Sequence, residues 1–313
     1  MMPRANILVS GVAGDIGFGA GRILREADWD GQLHGTDIHP DHPGSAVFDA
    51  CSVAPRASEP SYIDWLSRYI VGCGIDVFIP TSEAEISRLT EERLDRVAGA
   101  VVLKANELTI RKSLDKNACL DFLSHAGVAV PAHGLLAQRQ PDRYPVILKP
   151  RSGQGSKGIV RAERADQLPD ACDSNLVWQE YLAPDHEEYT CGVFRSARVA
   201  TRVLVMRRKL QGGLTGSGEV VDDPEISRYV ASIAQALQLD GCMNVQLRLT
   251  SAGPLLFEVN PRLSSTLVFR DKMGFCDLKW WLAEKLGSAI PEYIPPMAGT
   301  RFFRGAQEYI LFD

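Results

Sequence analysis

The chain has 313 residues, a formal charge of −5, and a composition 45 % apolar and 23 % charged, which excludes collagen, coiled coil and wholesale disorder. No apolar run approaches the roughly 18 residues that cross a bilayer, so no membrane partner is expected. The acidic balance, with a pI near 5.8, speaks against nucleic acid as the main partner, because that binding relies on a basic face.

At about 150 residues per domain the length suggests two domains. Residues 7–9 read as a strand, followed by Gly11, Gly14 and Gly17 and an apolar-periodic helix through Ile23, Leu24 and Ala27. Further strands are expected at 33–36, 76–80 and 100–103, and helices at 61–71 and 89–94. Short strands alternating with helices predict an α/β unit with a parallel sheet covered on both faces. From about residue 105 the texture changes. A helix is expected over 113–126, with Gly127 just past its end. Strands follow at 144–149, 176–182 and 199–210, then a glycine-rich stretch over 211–218 read as a flexible loop. A helix at 225–237, a β-hairpin over 242–260 and a final strand in the aromatic tail 302–312 complete an α+β unit.

Seven cysteines, an odd count with no C-x-x-C pair, encode neither a disulfide framework nor a zinc site. With no export signal in MMPRANILVSG, a cytoplasmic location is expected.

GVAGDIG has the form G-x-x-G-x-x-G after a strand, and Asp37 lies 20 residues past Gly17, where a dinucleotide fold places its ribose-binding acid. That pattern suits an NAD(P)-dependent oxidoreductase or epimerase. However, none of the eight tyrosines has a lysine four residues on, so the proton-moving pair usual in such enzymes is missing.

A second glycine cluster follows Lys149-Pro150 in Arg151-Ser152-Gly153-Gln154-Gly155-Ser156-Lys157-Gly158. A lysine ending a buried strand, then a loop rich in backbone N–H donors, is suited to phosphate oxygens. Downstream, Phe257-Glu258-Val259-Asn260-Pro261-Arg262 puts Glu258 and Asn260 on one strand face, with Phe257 and Val259 toward the core. A three-residue turn over 251–253 would place Gln246 opposite Glu258 and Asn244 opposite Asn260. Cross-strand neighbours sit about 5 Å apart, and such oxygens suit Mg²⁺ or Mn²⁺.

In this order the motifs resemble the ATP-grasp superfamily over residues 105–275. The resemblance implies a Rossmann-like pre-ATP-grasp domain over 1–104 and an ATP-grasp domain over 105–313, with a lid at about 130–182. It implies Lys116, in Asp115-Lys116, on the ATP α-phosphate and Lys149 bridging the α- and β-phosphates. Ser152, Gly153, Gly155, Ser156, Lys157 and Gly158 form the phosphate lid. Gln179, Glu180 and Leu182 read adenine, and Glu188 the ribose. Glu258 and Asn260, with Gln246, are the implied metal ligands, and Arg262 steadies the transferring phosphoryl group. Met243-Asn244-Val245-Gln246 resembles the carbamoyl phosphate synthetase style, and the chain's size the small carboxylate–amine ligases.

Arg202, Arg207, Arg208 and Lys209 precede the 211–218 stretch. A strand ending in cations is suited to a substrate carboxylate, or reads as a solvated basic edge; Lys209 is also placed to reach the γ-phosphate. Ser264 and Ser265 are candidates for the acceptor site. The expected activity is ATP-dependent joining of a small carboxylate, an amino acid, to an amine through an acylphosphate. An enzyme acting on bicarbonate or carbamate is the nearer alternative. A homodimer stays open as an assembly.

Overall fold

The computed structural model describes residues 4–153, 158–169 and 175–311. The first unit is built on β1 (Ile7–Ser10), α1 (Asp15–Glu26), β2 (Leu33–Asp37), β3 (Ala50–Val53), α2 (Tyr62–Cys73), β4 (Val77–Ile79), α3 (Glu83–Glu91), β5 (Arg96–Val97) and β6 (Ala100–Val102). Its sheet runs β3-β2-β1-β4-β6-β5, parallel except for β5. Alternation along β1 explains why both faces need cover. Ile7 and Val9 pack with Ile23 and Leu24 of α1, whereas Leu8 packs with Tyr62, Leu66 and Ile70 of α2.

The glycines of the first turn are set by close backbone approach. A Cβ on Gly17 would lie 2.4 Å from the Gly11 carbonyl oxygen, and Gly11 itself has φ +64°. Helix α3 starts six residues before the expected 89. Ser82 caps it by accepting from the Glu85 N–H, a Ser-x-x-Glu capping pattern that outweighs the polar first turn.

Next come α4 (Glu107–Ser113) and α5 (Lys116–His125). The single helix expected over 113–126 is broken, because Asp115 turns its carboxylate to the Asn117 and Ala118 N–H groups and starts a new one. A small antiparallel sheet follows, ordered β7-β10-β8-β9, from β7 (His133–Leu135), β8 (Val146–Pro150), β9 (Val160–Ala162) and β10 (Leu176–Glu180). It has its own core of Leu136, Val146, Leu148, Ala162 and Trp178.

The last sheet is antiparallel, ordered β15-β14-β11-β12-β13-β16. Its strands are β11 (Glu188–Arg195), β12 (Arg202–Gln211), β13 (Leu214–Val220), β14 (Gly241–Thr250), β15 (Gly253–Asn260) and β16 (Arg301–Phe303), with α6 (Pro224–Ala236), α7 (Leu267–Lys272) and α8 (Asp277–Lys285). One face packs on α4, α5 and α6. The other shares a continuous core with α1, α7 and α8, which ties this sheet to the first one. The stretch read as a loop over 211–218 is mostly strand β13. Its glycines serve the pairing: at Gly218 a Cβ would lie 2.2 Å from the Arg207 carbonyl oxygen. Of the expected final strand over 302–312, the described residues form strand only in β16, Arg301–Phe303.

Candidate active site

Lys149 stands near the end of β8 and is 5 % exposed. Its ammonium donates to the Phe257 carbonyl at 2.7 Å and to Gln179 Oε1. That carbonyl is available because β15 is bulged. Gln246 pairs with Glu258 but Leu247 with Leu256, so Phe257 is an extra residue without a partner. Phe257 is therefore half-buried instead of lying in the core as expected; Val259 does lie there. Burial pushes the Lys149 ammonium down to about 8. The Glu258 charge opposes that shift and the Lys116 charge adds to it.

Lys116 is the first residue of α5, where a cation opposes the helix dipole. Its ammonium compensates by donating to the Gly153 carbonyl at 2.7 Å and facing Glu258 Oε1 at 3.8 Å. Asp115 fixes this corner, since its other oxygen accepts from Arg151 Nε at 2.6 Å. Two lysines, one of them tied to the Gly153 carbonyl, thus stand at the end of the hairpin that carries the carboxylate.

On that hairpin Gln246 lies across from Glu258 and Asn244 across from Asn260. The Asn244 amide oxygen accepts from the Thr190 hydroxyl. Beyond the strand, Arg262 donates to Asn260 Oδ1 at 3.3 Å and to Glu83 Oε1 at 2.8 Å. Glu83 belongs to α3, so the first unit supplies the anion that aims this guanidinium.

Gln246, Glu258, Asn260 and Arg262 open into a cavity of about 910 Å³, a size typical of ligand sites. Its floor is Gln246, Glu258, Asn260, Arg262, Ser264 and Ser265. The opposite wall is the first glycine turn, the end of β2, residues 54–58 and the start of α3, while Arg208, Leu210 and residues 213–215 close a third side.

The expected site residues do not all gather here. On β12, alternation sends Arg208 to the cavity and Arg207 and Lys209 to the opposite face. Lys209 is exposed, and Arg207 pairs with Glu187 and Glu219. Arg202 lies over the Trp280 ring and donates to the Pro291 carbonyl. Arg208 is itself engaged, donating to Glu188 Oε1 at 2.9 Å and Gln246 Oε1 at 2.8 Å. The Gln246 oxygen is turned to this guanidinium, and Glu188 is held between Arg208 and Arg248.

Gln179 is buried against Lys149. Glu180 is exposed, with its carboxylate accepting from the Ala132 N–H, and the Leu182 carbonyl accepts from Arg248. Gly158 lies beyond β8 with φ +72°, and Ser152 is exposed beside Gly153. Gly155, Ser156 and Lys157 fall outside the described residues. Asp37 spends both oxygens on the Ala13 and His39 N–H groups, so it closes the glycine turn and is not held open for a dinucleotide ribose. Sequence reasoning missed Glu83 altogether, although the capping pattern at Ser82 would have located it.

Among the described residues no group of three or more His, Cys, Asp or Glu side chains could hold a metal by itself. One carboxylate, Glu258, beside the Asn260 amide oxygen does fit Mg²⁺ or Mn²⁺, hard cations that take one or two protein oxygens and complete their shell with phosphate and water.

Two lysines and an acid-bearing hairpin, built across two antiparallel sheets, are the arrangement of the ATP-grasp fold. A family profile described as "ATP-grasp in the biosynthetic pathway with Ter operon" matches residues 173–301. The chain is 26 % identical over 210 residues to a probable alpha-L-glutamate ligase of Shewanella baltica, spanning 60 % of this chain and 68 % of that one. Two solved structures share the fold. The ADP complex of an N5-carboxyaminoimidazole ribonucleotide synthetase has a TM-score of 0.74 at 18 % identity, covering 95 % of this chain and 80 % of that one. An L-amino acid ligase of Bacillus licheniformis has a TM-score of 0.69 at 16 % identity, covering 91 % and 75 %.

Proposed function

We propose that the protein activates the carboxylate of an amino acid as an acylphosphate and couples it to an amine, releasing ADP and phosphate. The observation that carries this reading is the convergence of Glu258, Asn260 and Arg262 on the floor of one cavity whose far wall comes from the first unit, with Lys116 and Lys149 set against the same hairpin from the other side of Glu258 and at the Phe257 carbonyl. The names of the glutamate ligase and the L-amino acid ligase it resembles favour an amino acid as substrate.

An amine cannot displace oxide from a free carboxylate, so the carboxylate oxygen first attacks the γ-phosphorus and ADP departs. The amine nitrogen then attacks the acyl carbon, phosphate leaves with the C–O bonding pair, and the nitrogen loses a proton. Such transfer is mostly positioning and charge neutralisation. Lys149 and Lys116 hold the nucleotide phosphates. Arg262, aimed by Glu83, faces the transferring phosphoryl group. Glu258 and Asn260 would hold the cation, which when bound neutralises charge on the phosphate oxygens. The first unit, of the pre-ATP-grasp type, walls the cavity and keeps water from the acylphosphate.

ADP and phosphate release with Mg²⁺, measured across amino acids added singly and in pairs, tests the reading. Turnover that needs an amino acid, and that falls at least about a hundredfold in Glu258→Gln with the fold intact, is the expected result. Near-normal turnover in that variant overturns it.

A further inference from the structure

We propose that the amino acid taken by this cavity carries an apolar side chain, held at the cavity mouth by Leu210, Leu214 and Ile38; this rests on the ligase reading above. The cavity has two chemically distinct ends. Its floor is the carboxylate, amide, guanidinium and hydroxyl groups around Glu258. Its mouth is large aliphatic side chains standing in water: Ile38, Leu210 and Leu214 are 39 %, 48 % and 41 % exposed, and all three line the cavity. Exposed apolar side chains grouped around a concave site mark a surface that a ligand covers.

The mouth is built, not incidental. Leu210 shares the cavity face of β12 with Arg208, two residues before it. β12 and β13 then turn through Gly212 and Gly213, whose φ values of 59° and 82° suit the tightest two-residue hairpin loops. The ladder slips once, between Lys209 and Leu210, and sets Leu210 against Thr215 and Gln211 against Leu214. Thr215 is 1 % exposed, so this hairpin end is anchored and its leucines are held in place over the cavity.

An acidic side chain would need an available cation at the same place. Arg208 is engaged by Glu188 and Gln246, and Arg262 by Glu83. Arg56, exposed on the 54–58 loop that also lines the cavity, is the cation that an acidic substrate would use.

The test compares kcat/KM for leucine, methionine, glycine and glutamate in the ADP-release assay. Calorimetric titration of the same amino acids runs beside it, with Mg²⁺ and a non-hydrolysable ATP analogue. Leucine and methionine are expected to exceed glutamate and glycine at least tenfold in both. Leu210→Ser and Leu214→Ser are expected to raise KM for leucine about tenfold or more, as loss of apolar contact does. Both positions are exposed, so the thermal midpoint holds, and Val71→Ser, an exposed site away from the cavity, changes nothing. Glutamate preferred over leucine, with that preference lost in Arg56→Ala, overturns the apolar mouth while leaving the ligase reading intact. Binding of leucine without any ADP release overturns the ligase reading while upholding the apolar mouth. Unchanged leucine binding in both serine variants overturns the apolar mouth.

Discussion

The Lys149 ammonium lies 2.7 Å from the Phe257 carbonyl oxygen, which joins the lysine of the small sheet to the hairpin that carries Glu258. The contact exists because a bulge leaves that carbonyl without a ladder partner. Strand irregularity and site chemistry are here one feature: the extra residue at 257 both offers an oxygen to the lysine and keeps Glu258 opposite Gln246.

Burial holds the Lys149 ammonium at about 8, against an ordinary 10.5. Between those values the unfolded chain binds the proton and the folded chain does not, so stability should rise with pH across that window, by up to about 3 kcal/mol. Nucleotide binding needs the charged form and should weaken as pH rises above about 8. Denaturant titrations at pH 7.5 and 10, with and without an ATP analogue, measure both effects. Lys149→Met should abolish the stability rise and cut nucleotide affinity at least tenfold; a rise that survives the substitution assigns it to another group.

Glu83 and Arg262 bridge two sheets at 2.8 Å with side chains only 18 % and 10 % exposed. Glu83→Gln removes the anion that aims the guanidinium, and hydrogen bonds to charged groups are worth about 1.5–3 kcal/mol. We expect kcat to fall about tenfold or more with KM for ATP unchanged, as for an interaction felt mainly in the transition state. An effect confined to KM for ATP would place Arg262 on the nucleotide instead.

Arg270 is fully buried and donates to Asp277 and, at 2.6 Å, to the Ser264 hydroxyl. Burial raises the Asp277 carboxyl, and Arg270 pulls it back down. Gly192 makes room for the arginine, since a Cβ there would lie 2.5 Å from Arg270 Cδ. Asp277→Asn should cost about 3–5 kcal/mol in a denaturant titration, because a buried charge loses its partner. The double variant Arg270→Leu with Asp277→Leu should cost less than the sum of the singles; full additivity would mean the pair is not coupled.

Arg304 ties three walls of the cavity together, donating to the Ser265 carbonyl at 2.8 Å, the Thr215 carbonyl at 3.0 Å and Asp15 Oδ2 at 3.1 Å. Arg304→Ala should raise KM for the amino acid several-fold while leaving KM for ATP alone. Arg304→Lys should not restore it, since an ammonium cannot span three acceptors in a fork. Equal changes in both constants would mark a general loosening.

The sequence by itself determined what is local. Period-two alternation and the Asn-Pro stop put Glu258 and Asn260 on one face, and the hairpin register set Gln246 opposite Glu258. That register was reached through two departures that cancel: the turn has two residues, Ser251 and Ala252, instead of three, and the bulge at Phe257 restores the offset. Lys149 before a glycine-rich loop was legible for the same reason, as a short-range pattern of strand and turn. Only the tertiary structure decided which charges meet. Glu83 reaches Arg262 across 179 residues, Arg208 is engaged by Glu188 and Gln246 from neighbouring strands, and the cavity wall belongs to a sheet formed before residue 103. Burial and pairing across such separations depend on how whole sheets pack, and no residue spacing encodes that. The arginines looked alike in sequence; alternation along β12 sent Arg208 to the cavity face and Arg207 to the opposite one, while Arg202, on the same face as Arg208, lies six residues away against the Trp280 ring.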